Sequence, residues 1–199
     1  MKKYIIAAIA LLATSSAFAA SLPSKKAAPL PPVRTPTFLA NELTGSADFS
    51  DGDVVYGLGL THNLGNGFFI GAAGTSTPDR DVQTAEATVG VKFPVIAGLS
   101  LKGSASSGYK FKDENFPYYA LRVGADYSLS SRFTWNAVEY RYRNSYESVH
   151  NSYESHRVGT GLTYTFNERH SVGARVYRQF DGGLNKDSDG VLIGYSFRF

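Results

Sequence analysis

From Phe38 to the end of the chain, apolar and polar residues alternate with a period of two, as they do in strands with one apolar and one polar face. Within residues 118–129, for example, Leu121 and Val123 alternate with Arg122 and Gly124. The same pattern recurs in residues 157–166. No run of 18 apolar residues and no helical stripe interrupts it. The pattern predicts an all-β domain.

The number and length of the strands indicate which kind of β domain this is. Clusters of Gly, Asn, Asp and Pro divide the region into ten predicted strands: 39–48, 53–62, 67–76, 82–93, 99–111, 117–129, 132–143, 156–166, 170–180 and 190–199. Soluble strands average about five or six residues, whereas a tilted strand that crosses a membrane needs about 9 to 11. The predicted connections are alternately short and long, as in bacterial outer-membrane barrels. We therefore predict an antiparallel transmembrane β-barrel of ten strands, with eight as the alternative because the first hairpin has the weakest signal.

Aromatic residues favour the same architecture, because they fall near both ends of the predicted strands. Two interfacial girdles in a membrane barrel would place them there, whereas a soluble β-sandwich would leave them exposed. The short-turn ends carry Phe68, Phe93, Phe133, Phe166 and Phe199, and the long-loop ends carry Tyr109, Phe111, Tyr119, Tyr140, Tyr142 and Phe180.

The segment before the barrel is typical of an exported protein. Lys2 and Lys3 precede a short apolar run, and Ala17 and Ala19 occupy the positions that a signal peptidase reads. We predict a signal peptide at 1–19, a Pro-rich periplasmic tail at 20–37 and a barrel at 38–199. Cleavage removes two lysines and leaves a nearly neutral mature chain, which argues against a nucleic-acid partner.

The last six residues, Gly194 to Phe199, read GYSFRF. They resemble the C-terminal signature of outer-membrane β-barrel proteins, and the chain after Phe38 resembles the small porin and opacity-type barrels of Gram-negative bacteria. The resemblance implies that Gly194, Phe197 and Phe199 are read by the barrel assembly machinery. It also implies an outer-membrane location, with lipid and lipopolysaccharide around the barrel and a monomer as the favoured state.

If the bulky face of each strand meets lipid, the charged face lines the lumen. The residues Glu139, Arg141 and Arg143 face inward only if a β-bulge near Ala137 changes the register, because Trp135 points outward. Basic residues then exceed acidic ones by eight to five. The predicted lumen-lining charges are Glu42, Asp48, Glu86, Lys92, Lys102, Lys110, Arg122, Asp126, Glu139, Arg141, Arg143, Arg157 and Arg175.

Few residues suggest chemistry. The chain has no Cys, and its 4 His lie in predicted turns and loops. The sequence NSYES occurs at 144–148 and again at 151–155, and we interpret this echo as an extended hairpin above the membrane. Residues 150–152 (His-Asn-Ser) resemble the lipid A deacylases only in part, because the deacylase pattern has Asn after the Ser, where this chain has Tyr153. His156 with Asp181, Asp187 and Asp189 resembles the omptin proteases, also only in part. We predict no catalytic, cofactor or metal site.

Two functions are consistent with these features. The first is a narrow porin-like channel for small solutes, in which surplus cations favour anions, with Lys102, Arg122, Arg157 and Arg175 setting the preference. The second is a closed structural or surface-interaction barrel, in which the same charges pair and fill the lumen. An outer-membrane enzyme acting on lipid A or peptides is a remote third.

Overall fold

The computed structural model describes residues 41–111 and 115–199, so the predicted signal peptide (1–19), the predicted tail (20–37) and the start of the first predicted strand lie outside the described residues. Two short 3-10 helices, η1 (Pro78–Arg80) and η2 (Ser148–Tyr153), lie between strands. The ten strands are β1 (Asn41–Ser50), β2 (Asp53–Gly65), β3 (Phe68–Thr77), β4 (Val82–Ile96), β5 (Leu99–Phe111), β6 (Phe116–Ser128), β7 (Phe133–Ser145), β8 (Ser155–Thr165), β9 (His170–Asp181) and β10 (Lys186–Arg198).

The strands form a closed antiparallel barrel in which each strand pairs with its neighbours in sequence and β1 pairs with β10. Closure extends to the ends of these strands, where Asn41 and Phe199 exchange two backbone hydrogen bonds of 3.1 and 3.0 Å. Every strand edge is therefore paired, which removes the open edges that a sheet would expose. The ten-stranded prediction is confirmed, and the eight-stranded alternative is wrong.

The observed strand boundaries differ from the predicted ones by up to four residues, and two of these differences fall next to a register shift at a predicted connection. Strand β4 continues through Pro94 to Ile96, where a turn was expected from residue 94. Proline fits there because the register shifts between Pro94 and Ile96, and a bulge tolerates a residue without an N–H. Strand β10 begins at Lys186 rather than at residue 190, also next to a register shift, so the predicted loop 181–189 is shorter than expected.

The apolar side chains of the strands lie on the outside of the barrel. Leu58 is 61% exposed, and Val89, Val123 and Val176 are each at least 55% exposed. By contrast, the buried hydrophobic residues of the described chain are few: Phe116, Tyr118, Ala120, Ala125 and Tyr177. A barrel with an apolar exterior and little apolar interior requires lipid around it. Among residues 41–111 and 115–199, no helix is long and apolar enough to span a membrane.

The β-bulge predicted near Ala137 is present. Ala125 pairs with Val138 and Asp126 pairs with Asn136, so Ala137 is the extra residue on β7. The bulge reverses which parity faces inward along this strand. Trp135 before it is 42% exposed on the outside, whereas Glu139 after it contacts lumen cations.

Large inward rings are accommodated by glycines on the neighbouring strand. A Cβ added to any of these glycines would overlap the ring that lies against it. Cross-strand pairs of this kind fix the register and position the ring in the lumen. The directly opposed pairs are Phe69 with Gly90, Tyr118 with Gly108, and Tyr177 with Gly190.

Candidate functional site in the barrel lumen

The charged side chains of the strands make contacts that pass over an intervening strand. Arg157 on β8 donates to Asp48 on β1 at 2.9 Å, although β9 and β10 separate these strands in the wall. Arg122 on β6 donates to Glu86 on β4 at 2.7 Å, past β5. Such contacts are short only across the concave side of a closed barrel. The structure therefore places these side chains in the lumen.

A second set of lumen charges forms an alternating chain across one wall. The Asp126 carboxylate accepts from Lys92 at 3.0 Å and from Lys102 at 3.3 Å. Lys102 also contacts Glu139 at 3.2 Å, and Glu139 accepts from Arg175 at 2.5 Å. Because each anion is shared by two cations, this chain holds more positive than negative charge.

Two further predicted charges, Glu42 and Lys110, lie near the two rims. At the rim that carries Asn41 and Phe199, Arg198 donates to Glu42 at 2.7 Å. Arg198 was absent from the predicted set of lumen charges. The period-two pattern could have included it, because Arg198 lies on the same face of β10 as Ser196, and the Ser196 hydroxyl forms a hydrogen bond with the hydroxyl of the inward residue Thr44. At the other rim, Lys110 Nζ lies 5.1 Å from the centre of the Phe116 ring.

Two predicted lumen arginines have no carboxylate partner among the described residues. Arg141 lies between Arg122 and Arg157 in the strand register. Arg143 places its guanidinium 4.1 Å from the centre of the Tyr153 ring. Sequence reasoning counted both as lumen charges but could not distinguish paired from unpaired cations, because pairing depends on which strands face each other.

The wall formed by β1, β2 and β3 is different, since most of its inward residues between the rims are small. They line a cavity of about 260 Å³. This wall is smooth and uncharged over most of its height, and it faces the network of charged side chains. Its inward residues include Thr44, Ser46, Gly57, Gly59, Thr61, Gly71, Ala73 and Thr75.

Several side chains of the charged network remain partly accessible to solvent. The side chains of Arg122, Lys102 and Arg175 remain 28%, 25% and 23% exposed, although they lie within the barrel. Charges packed into a closed plug would be almost completely inaccessible. The exposure indicates that solvent can reach these side chains inside the barrel.

The longest connection, between β7 and β8, folds over the barrel mouth. It forms the helix η2 and not the extended hairpin that the NSYES echo suggested, so that prediction is wrong. The His150 ring stacks on Phe116 at 4.2 Å, and the Tyr153 ring lies 4.9 Å from Phe116. The corresponding tyrosine of the first copy, Tyr146, is 59% exposed. The two NSYES copies therefore occupy different environments: Tyr153 packs against Phe116 at the barrel mouth, whereas Tyr146 is exposed outside the lumen.

The residues considered for catalysis are engaged in separate contacts. His156 Nδ1 forms a hydrogen bond of 2.7 Å with Tyr140 Oη. Asp189 accepts from Arg178, Asp187 from Gln179, and Asp181 from Asn185. These contacts do not assemble a nucleophile with a base. Within the described part of the chain, no group of His, Cys, Asp or Glu could hold a metal ion.

No protein-family model matches the chain, and no curated protein matches its sequence. Solved structures do match its fold. The NanC porin superposes with a TM-score of 0.53 at 10% identity, over 79% of this chain and 100% of that one. The KdgM porin, solved in complex with disordered oligogalacturonate, superposes with a TM-score of 0.50 at 13% identity, over 79% of this chain and 99% of that one. The chain therefore has the β-barrel fold of outer-membrane porins.

Proposed function

We propose that this protein is a narrow, water-filled channel of the bacterial outer membrane that conducts small solutes and prefers anions. The observation that carries the proposal is the asymmetric lumen, in which partly exposed cations on β5 to β9 face the smooth wall of β1 to β3. The small side chains on β1 to β3 leave room for a solute, and the cations on the facing wall attract that solute if it carries a negative charge.

The preference for anions follows from the balance of lumen charge. The five lumen carboxylates, Glu42, Asp48, Glu86, Asp126 and Glu139, all have cationic partners. Lysines and arginines outnumber them, so the lumen keeps a net positive charge. In a narrow pore with low-dielectric walls such a charge raises the local concentration of anions and excludes cations.

The outer surface supports a position in a lipid bilayer. Leu58, Val89 and Val123 form part of an apolar exterior, and Phe68 and Phe133 are exposed near the rim that carries Asn41 and Phe199. We expect lipid and lipopolysaccharide around a monomeric barrel, with no cofactor, no nucleic-acid partner and no enzymatic activity. We also expect the assembly machinery to read Gly194, Phe197 and Phe199, after export directed by the predicted signal peptide.

A closed barrel is the second candidate, and one observation favours it. The η2 loop places Tyr153 over the mouth, where its ring lies 5.4 Å from Tyr118 and 4.1 Å from the Arg143 guanidinium. A loop held in this position narrows the entrance. Solute flux distinguishes the two candidates, because a closed barrel passes nothing.

Liposome swelling with solutes of similar size and different charge tests the proposal. We expect glucuronate to enter faster than glucosamine, with glucose between them. Replacing both Arg122 and Arg157 with Gln should narrow this difference, whereas Arg178→Gln, on the exposed outer surface, should not change it. Absence of swelling with all three sugars, from vesicles shown to contain the folded protein, would reject the channel and favour the closed barrel.

A further inference from the structure

Buried polar atoms without a hydrogen-bond partner are concentrated on one part of the lumen wall. In the described chain these atoms are Arg141 Nε, Arg143 Nε, Ser155 Oγ and Arg175 Nε. The first three lie together on β7 and β8. Arg143 is directly opposite Ser155 in the register, and Arg141 is two residues from Arg143 on the same face of β7. Folded proteins satisfy nearly all such atoms, so three neighbouring exceptions require an explanation.

The charge of Arg141 is also unbalanced. Its register neighbours Arg122 and Arg157 each bind their own carboxylate, Glu86 and Asp48. The charges that act on Arg141 most strongly are the arginines 157, 143 and 122, which all repel it, and the attraction from Glu86 is weaker than each of these repulsions. Within the described residues, its hydrogen bonding is limited to a long contact of 3.5 Å from Nη2 to Gln179 Oε1.

Ser155 adds a third unused donor. Its side chain is only 6% exposed, and its hydroxyl has no partner among the described residues. It lies on the same strand face as Arg157, which points into the lumen towards Asp48. The register thus brings two guanidinium groups and a hydroxyl to one region of the lumen wall, and among the described residues no carboxylate pairs with any of them.

We propose that Arg141, Arg143 and Ser155 form a binding site for an oxyanion group: phosphate, sulfate or carboxylate. An oxyanion presents several acceptor oxygens at once, and the planar guanidinium donates two parallel hydrogen bonds to such a group. Its negative charge would also offset the repulsion between Arg141 and the three arginines around it, a repulsion that is costly while Arg141 has no anionic partner. The proposal extends the proposed channel by assigning the position at which an anionic solute pauses.

The position of the site gives it access from the loop side. Arg143 lies under the Tyr153 ring of η2, and Ser155 is the first residue of β8 after that loop. An anion that enters past η2 would reach Arg143 and Ser155 first and Arg141 next. The smooth wall opposite leaves the remainder of a small solute free to move on.

Titration of the purified protein in detergent micelles with inorganic phosphate tests the site. Ionic strength is held constant with chloride, and the readout is the thermal unfolding temperature. We expect a saturable rise for the wild type and an apparent Kd about tenfold or more higher for Arg141→Gln. Arg178→Gln removes an equal charge from the exposed outer surface, outside the lumen, and it should retain the wild-type Kd. Equal Kd values for the wild type and Arg141→Gln, or a rise without saturation in the wild type, would overturn the proposal.

Two further arms complete the test. Arg141→Lys keeps the charge but loses the guanidinium fork, so it covers the case in which Arg141→Gln fails to fold, and we expect its Kd to rise as well. A wild-type Kd retained by Arg141→Lys would reject guanidinium recognition of the anion. Glucuronate in place of phosphate identifies the source: saturation with both indicates the anionic group of a solute, and saturation with phosphate alone indicates a free inorganic ion. If phosphate binding saturates and depends on Arg141 but the protein passes no solute in the swelling assay, the binding site stands and the channel is rejected. If the protein passes solutes but phosphate binding does not saturate, the channel stands and the binding site is rejected.

Discussion

Arg157 on β8 and Asp48 on β1 connect two strands of the barrel wall that are separated by β9 and β10. Arg157 Nη1 donates to Asp48 Oδ2 at 2.9 Å, and the Arg157 guanidinium lies 3.8 Å from the centre of the Tyr177 ring. The Tyr177 hydroxyl donates to the other oxygen of Asp48 at 2.5 Å. A cation, an anion and a ring from three different strands thus fix one another within the lumen.

Removal of Arg157 should therefore lower stability as well as change ion preference. Breaking a fully buried pair costs about 3–5 kcal/mol. The Arg157 side chain is 21% exposed, so partial solvation reduces the expected loss for Arg157→Gln to about 1–3 kcal/mol of unfolding free energy. Urea unfolding of the barrel in lipid vesicles measures it.

A double-mutant cycle with Asp48→Asn isolates the pair. The cost of the double variant should be smaller than the sum of the two single costs, because each single change leaves one charge without its partner. Arg178→Gln, whose pair with Asp189 is on the exposed surface, should cost less than about 1 kcal/mol. Additive costs in the cycle would show that the two side chains do not stabilise the barrel together.

The smooth wall should carry the solute path. Gly59 faces the lumen on β2, and an added Cβ would come no closer than 3.7 Å to its neighbours. Gly59→Trp should therefore fold but fill part of the lumen and reduce single-channel conductance to about half or less. Gly59→Ala provides the control and should conduct as the wild type does. Unchanged conductance in a folded Gly59→Trp protein would place the path elsewhere.

The η2 loop should limit entry to the lumen. Tyr153→Ala removes the ring that lies over Arg143 and beside Phe116, so we expect conductance to rise by about one half or more. Tyr146→Ala is a matched control, because Tyr146 is the same residue of the other NSYES copy and is exposed outside the lumen. An equal effect of both substitutions would indicate a general loosening of the loop and no specific role for the Tyr153 ring.

The C-terminal residue should matter more in cells than in a refolding experiment. Phe199 is 50% exposed, and only its backbone bonds Asn41 across the closing seam. Phe199→Ala should thus refold in detergent with little loss of stability, while the amount assembled in the outer membrane falls severalfold. Heat-modifiable gel mobility of membrane fractions measures assembly. Normal assembly of Phe199→Ala would reject the role of Phe199 as a recognition residue.

The period-two pattern predicted the ten strands and their antiparallel order because each strand is long and has two chemically different faces. It also predicted the bulge at Ala137, since Trp135 and Arg141 could not otherwise face lipid and lumen respectively. The period-two pattern could not predict which side chains contact each other across the lumen. Two features depend on barrel closure and on the register between strands far apart in sequence: the pairing of Arg157 with Asp48, and the lack of an ion pair for Arg141 among the described residues. The inward position of Tyr153 depends likewise on how η2 folds, which a repeated polar motif does not specify.

Ion conductance of the refolded protein in a planar bilayer, under a gradient of potassium chloride, tests the central claim most directly. We predict stable discrete conductance steps and a reversal potential whose sign shows preference for chloride, because the lumen carries more cations than anions. Combined replacement of Arg122 and Arg157 by Gln should move that potential towards zero. A protein that inserts and resists proteolysis yet passes no current, or one that prefers potassium, would contradict the account.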